Sequence, residues 1–232
     1  MKLRWRLVLL LVAFLAVGQF LLPDAAEWGI KNAMVGTYPN LSQARVEVVA
    51  RPGVKVLAGR MDRVRLHAEE VDFGSIQAAS VDLELEQARL DLRKLLLDKK
   101  LFFSARSRRL EVELKEEGIN RYLRQVNVPL IGEPTIEIKA KEALLSGKVT
   151  LVGREVNIGV RGALTLEDGK LKYKPERVSF NGKELAPAMQ QRLLSRIAFI
   201  MPLSSMPVEA YFSKMRQYQG RVILVSEGTG IH

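Results

Sequence analysis

Val81-Asp82-Leu83-Glu84-Leu85-Glu86 lies inside residues 75–90 and alternates without a break, Val81, Leu83 and Leu85 pointing one way and Asp82, Glu84 and Glu86 the other. Successive side chains on a strand leave opposite faces of the sheet, so this stretch is a strand with one dry face and one wet face. Upstream, Met61 to Asp72 repeats the pattern, with Met61, Arg63, Arg65 and His67 on one face and Val64, Leu66 and Ala68 nearer the other. Arg45 to Ala50 also alternates; Pro52-Gly53 breaks that strand and Val54 to Leu57 is expected to resume it.

Downstream, Leu92, Leu95 and Leu96 follow Asp91 at helical spacing, which predicts a short helix capped by Asp91, and Leu101 to Leu114 reads as a long strand. Lys115 to Gln125 is an amphipathic helix with Ile119, Tyr122 and Leu123 as its apolar stripe. Alternating strands are expected at Thr135 to Ala140, Ala143 to Val152, Glu155 to Glu167 and Lys170 to Phe180. Asp168-Gly169 and Asn181-Gly182 supply tight turns, because both residue types accept positive φ. Pro187 to Met201 is expected to be the most apolar helix, with Met189, Leu193, Ile197, Ile200 and Met201 along it; Val208 to Lys214 and Arg221 to Glu227 close the sheet. Many antiparallel strands, a few short helices and no β-α-β rhythm give an α+β fold.

Ahead of this lies Met1 to Arg6, with Lys2, Arg4 and Arg6, and then an uncharged run from Leu7 to Leu22. That is the layout of an export leader or an N-terminal anchor, and the charge asymmetry orients the remainder outside the cytoplasm. Cleavage near Gly18 and retention as an anchor both fit; the poor site around Pro23-Asp24 favours retention. Residues 1–22 are therefore read as signal peptide or anchor and 23–232 as a single domain; a short helix is expected from Glu27 to near Gly36, before a Tyr38-Pro39-Asn40 turn.

The 232 residues include no cysteine, which excludes disulfides, thiolate catalysis and cysteine-linked acylation. The net charge of +10 comes with few, scattered aromatics, so anionic lipid or an acidic polymer is a better partner than nucleic acid. General solubility is the plainer meaning of that charge. Only His67 and His232 could serve as imidazole bases, and no Gly-x-Ser-x-Gly elbow accompanies them. Glu69-Glu70 and Glu116-Glu117 are neighbours that cannot share a face. No catalytic residue, metal ligand or cofactor is assigned.

The long strands carry much apolar side chain: Leu83, Leu85, Phe103, Leu114, Ile136, Ile138, Leu151, Ile158, Val160 and Leu164 would share a concave face. Helices could fill that face, which the pattern favours, or it could remain an elongated cavity for acyl chains.

Several segments in order carry a family resemblance: Arg45 to Ala50 leading to Val54-Lys55-Val56-Leu57-Ala58-Gly59-Arg60; Val81-Asp82-Leu83-Glu84-Leu85; Leu92 to Leu97; and Glu117-Gly118-Ile119-Asn120-Arg121-Tyr122-Leu123. Lys170 to Phe180 with Asn181-Gly182, Leu185-Ala186-Pro187 and Met201-Pro202-Leu203 complete the set. Over residues 27–228 the chain resembles the LmeA-like phospholipid-binding proteins. The resemblance implies an exported or tethered bacterial envelope protein, non-enzymatic, with a strongly curved, mainly antiparallel sheet wrapped around amphipathic helices as in tubular lipid-binding folds. Pro187 to Met201 is then the helix to be wrapped. The expected acyl-chain lining is Leu83, Leu85, Phe103, Ile158, Val160, Leu193, Ile197 and Ile200, with Arg106 and Arg108 at the headgroup, and the partner is phospholipid or an anionic membrane surface. A structural envelope protein with a filled core is the alternative.

Overall fold

The computed structural model describes residues 21–32, 43–98, 102–151, 154–203 and 211–230. Residues 1–20 of the leader, the expected helix end near Gly36, the Tyr38-Pro39-Asn40 turn, residues 204–210 and His232 lie outside these. The strands are β1 (Arg45–Val49), β2 (Arg60–Asp72), β3 (Gln77–Leu90), β4 (Phe103–Lys115), β5 (Gly132–Ile138), β6 (Ala143–Leu151), β7 (Arg154–Glu167), β8 (Lys170–Phe180), β9 (Lys183–Glu184), β10 (Ile200–Pro202), β11 (Lys214–Tyr218) and β12 (Arg221–Gly230). Residues 21–32 are helical (α1), followed by α2 (Leu92–Asp98), α3 (Glu116–Gln125) and α4 (Pro187–Leu194). One sheet has the order β1-β2-β3-β4-β12-β11 and the other β10-β8-β7-β6-β5, with β9 on β8; both orders are open at their ends. The registered pairs β1–β2, β11–β12 and β5 through β8 are antiparallel, as an α+β chain of successive hairpins requires.

The described residues divide into two compact units, the first drawn from 1–69, 81–110 and 227–232, the second from 70–80 and 111–226. In the first unit, Ile30, Val48, Met61, Val64, Leu85, Ala88 and Ala105 are buried together, and Ala26, Val46, Val56, Leu83, Leu90 and Phe103 pack against them half-covered. Val64, Leu66 and Ala68 face inward while Arg63 and Arg65 are exposed and His67 is half-exposed, as alternation demands. Met61 was expected beside those polar residues but is buried, so the alternation changes phase between it and Val64. Further phase changes follow at Glu70 (φ 52°) and Gln87 (φ 49°), after which Val71 and Ala88 turn inward. Left-handed residues within strands are the mark of bulges, which side-chain pattern alone does not reveal.

α1 includes Pro23 and Asp24, so helix begins earlier than Glu27. Val54 to Leu57, expected as strand, lies in a 3-10 helix, Gly53–Ala58. Lys55 N donates to Pro52 O (3.1 Å) and Gly59 N to Val56 O (2.8 Å), and left-handed Gly59 (φ 68°) ends it. A run this short has no period by which helix and strand could be told apart. α2 starts as expected: Asp91 Oδ1 accepts from the backbone N–H groups of Arg93 (3.0 Å) and Lys94 (3.1 Å).

In the second unit α3 buries Ile119, Tyr122 and Leu123. It also satisfies the edge of the second sheet, since Asn120 donates to Ile136 O (3.0 Å) and accepts from Ile136 N (2.7 Å), while Glu116 Oε2 accepts from Ile138 N (2.9 Å). Polar side chains thus occupy the pairing groups that edge strand β5 would otherwise expose. The β7–β8 hairpin turns at Asp168 (φ 51°) and Gly169 (φ 66°), and β8–β9 at Asn181 (φ 46°) and Gly182 (φ 78°), in line with their sequences.

The long helix expected over Pro187 to Met201 is not formed. α4 ends at Leu194, buries no residue, and leaves Met189 56% exposed. Ser195 Oγ donates back to Arg192 O (3.2 Å), and Ile200–Pro202 pairs with β8, Met201 opposite Leu171. The apolar spacing fitted a helix, but Phe199, Ile200 and Met201 complete a sheet edge, where their burial alternates. α4 is therefore not a helix wrapped by a sheet. β11 runs Lys214–Tyr218 instead of ending at Lys214, because the turn at Gly220 (φ 72°) pairs Tyr218 with Arg221 and sets its register.

Candidate functional site

Leu83, Leu85 and Phe103 come together in the first unit: Leu85 is buried, and Leu83 and Phe103 belong to the half-covered apolar layer around it. β3 supplies Leu83 and Leu90, β4 supplies Phe103, β1 Val46, the 3-10 helix Val56 and α1 Ala26. These side chains pack against the buried cluster and stay only partly covered. Hydrocarbon laid on such a layer gains about 25 cal/mol for each Å² removed from water.

The other expected lining residues are placed differently. Ile158, Val160 and Ile197 are buried in the second unit. There Tyr173 donates its hydroxyl to Val160 O (2.6 Å) and stacks on Phe199 with ring centroids 5.5 Å apart. Burial pushes the Tyr173 hydroxyl pKa well above its ordinary value. A charge at Ile197, with no exposed surface, would report on folding before it reported on any ligand. Leu193 is half-buried on α4, whereas Ile200 is 51% exposed on β10 and its carbonyl accepts from Tyr122 Oη (2.8 Å). α4 ends at Leu194, which leaves Leu193 on the helix and Ile197 and Ile200 beyond it, so no common helix face carries the three.

Arg106 is exposed and Arg108 half-buried on β4. Arg108 lines a concavity of about 440 Å³ with Glu84, Glu86, Ser107, Arg109, Glu227 and Gly228, and Arg109 lies 3.7 Å from Glu227. Carboxylates therefore share this hollow with the guanidinium groups. Nearby strands carry a charge ladder: Glu84 Oε1 is 3.0 Å from Arg65 Nε and 3.3 Å from Arg63 Nε. His67 Nδ1 is 2.6 Å from Asp82 Oδ1, and Nε2 is 3.3 Å from Glu69 Oε1. The hydrogen bond to Asp82, followed by that to Glu69, raises the His67 pKa. His67 thus stands on the strand face between two carboxylates, with no nucleophile among its described contacts.

A second hollow, about 560 Å³, lies on the second sheet and includes Ser146, Lys148, Asn157, Arg161, Arg177 and Ser179. Arg161 stands directly across from Arg177, which is 3.8 Å from Glu184. Like charges face to face on a sheet are unfavourable unless something of opposite sign attends them. The sequence gives no sign of this pair, because the register of β7 on β8 depends on a bulge between Arg161 and Gly162. Among the described residues no group of three or more His, Asp or Glu is gathered for a metal ion.

Residues 17–226 match the family model described as LmeA-like phospholipid-binding, which runs through both units. Comparison with curated proteins and with solved structures gives no match. With a model covering most of its length, the chain belongs to the LmeA-like phospholipid-binding family.

Proposed function

We propose that the protein is a non-enzymatic phospholipid-binding module of the bacterial envelope, holding acyl chains against the half-covered apolar layer of its first unit. Family membership is the observation that carries this reading. Leu83, Leu90, Phe103, Val46 and Val56 give it a place, since they join a buried core yet keep hydrocarbon surface available. The charge pattern of Lys2, Arg4 and Arg6 before the apolar run supports an extracytoplasmic position and an N-terminal anchor. Among the described residues no helix is long and apolar enough to cross a membrane. Curling of the β2–β3–β4 strands to enclose the chains, and passage of lipid between membranes, belong to the same proposal. Positive φ at Glu70 and Gln87, with the change of burial phase at each, supports the curl, because a bulge at such a residue bends and twists its strand.

A phospholipid bearing a photoreactive group near the end of one acyl chain tests this on the full chain in detergent micelles. Irradiation should attach it within residues 77–90 and 103–115. Adducts confined to other segments would remove the placement, and adducts no more abundant than with a water-soluble photoreactive control would remove lipid binding itself.

A further inference from the structure

One end of the first unit exposes large apolar side chains inside a basic setting. The 3-10 helix Gly53–Ala58 carries Leu57, 64% exposed, and α2 carries Leu97, 82% exposed, with Phe102 just beyond it 42% exposed. Hydrogen bonds hold these pieces side by side. Leu90 N donates to Gly59 O (2.8 Å), so the end of the 3-10 helix lies against the start of α2, and Asp91 N donates to Phe102 O (3.0 Å). A side chain at Gly59 would put its Cβ 2.4 Å from Leu90 O and 3.4 Å from Leu92 Cγ, so the approach requires glycine. Lys94 Nζ sits 3.7 Å from the centroid of the Phe102 ring.

The charges around this apolar tip are mainly positive. Arg60, Arg93 and Lys94 are exposed, and in the sequence Leu97 is followed by Asp98 and then by Lys99 and Lys100. Nearby Asp91 is engaged in capping α2, and Asp62 accepts from Arg51 N (2.6 Å) and Lys55 Nζ (3.0 Å). Those contacts hold the Asp62 carboxyl below its ordinary pKa, the bond from Arg51 N–H contributing most. Exposed aliphatic and aromatic groups flanked by cations suit the boundary between phosphate headgroups and acyl chains.

We propose that the tip formed by Leu57, Leu97 and Phe102, with Arg60, Arg93 and Lys94, docks onto an anionic phospholipid bilayer. The occupant follows from charge complementarity and from the chain path. α1 is fixed to this same unit through Ile30 in its core, through Ala26 packed against that core, and through Glu27 Oε1, which accepts from Val48 N (2.8 Å). The uncharged run from Leu7 to Leu22 leads directly into α1, so the proposed anchor would deliver this unit, tip included, to the membrane. The proposal rests on the phospholipid-binding reading only for the nature of the partner; the tip contacts a membrane surface, whereas the apolar layer holds individual chains.

The absence of native cysteine makes the test direct. Full-length L57C and L97C, each labelled with an environment-sensitive fluorophore, are reconstituted into vesicles of phosphatidylglycerol and phosphatidylcholine containing a lipid quencher near the headgroup. Both positions are exposed, so neither change disturbs the core. Quenching is expected at both, and neutralising Arg60, Arg93 or Lys94 by substitution with glutamine should lower the docked-to-undocked ratio roughly fivefold for each basic group lost. Unquenched probes would overturn the proposal, as would equal quenching in pure phosphatidylcholine. Shielding from aqueous iodide without lipid quenching would place a second copy of the chain on the tip and overturn it too. Photoreactive-lipid adducts that persist while the probes stay wet would refute docking alone; quenched probes without adducts would refute the lipid-holding layer alone.

Discussion

His67 lies between Asp82 and Glu69, and the bond to Asp82 does most to favour its protonated form. A histidine whose pKa is raised by folding contributes stability fully below its unfolded value, near 6.5, and loses that contribution as pH climbs through the folded value. Stability should therefore fall above about pH 6.5, and His67→Asn should flatten the fall. With His67 side chain 42% exposed, solvent screens the pairing and the effect is small. Urea denaturation of both proteins at several pH values measures it, and equal pH slopes would contradict this account. The outward direction of His67 follows from alternation. Glu69, two residues along the same strand, shares that face by alternation; Asp82 was not legible, because it lies across a strand pair whose register the sequence does not state.

Elements were read well where a single rule acted. The Asp91 cap, the α3 stripe and the Asp168-Gly169 and Asn181-Gly182 turns each depend on local chemistry, and each stands in the structure. Tertiary pairing overrode local period at Phe199 to Met201, which fitted a helix but serve a sheet edge, whereas Val54 to Leu57, expected as strand, coils between Pro52 and Gly59 in a run too short to show a period. The joint between α3 and β5 gives a prediction at this scale. Asn120 makes two hydrogen bonds to Ile136, and losing them at a half-buried edge costs about 1–3 kcal/mol. Asn120→Ala should lower unfolding free energy by that amount in urea titrations while leaving photoreactive-lipid adducts on β3 and β4 in place. A loss below about 0.5 kcal/mol would show that water replaces Asn120 at the edge.

For the whole molecule, composition and order carried more than any single residue. The mainly antiparallel α+β class and the family were legible because turns and apolar alternation recur in sequence order, and the family match covers residues 17–226. The candidate site was legible only in part. Leu83, Leu85 and Phe103 converge, yet Ile158, Val160 and Ile197 fill the core of the second unit, and an inward-facing residue that packs protein has the same sequence signature as one that packs lipid. The tip at Leu57 and Leu97 escaped notice because exposed leucines in short segments look like buried ones until their neighbours are known. The central claim, that this protein holds phospholipid, is tested most directly by native mass spectrometry of the full chain extracted from bacterial membranes, with organic extraction and identification of whatever is released. The account predicts a mass increment of about one phospholipid per chain, regained after stripping and incubation with phospholipid vesicles; a ligand-free mass that such incubation leaves unchanged would contradict it.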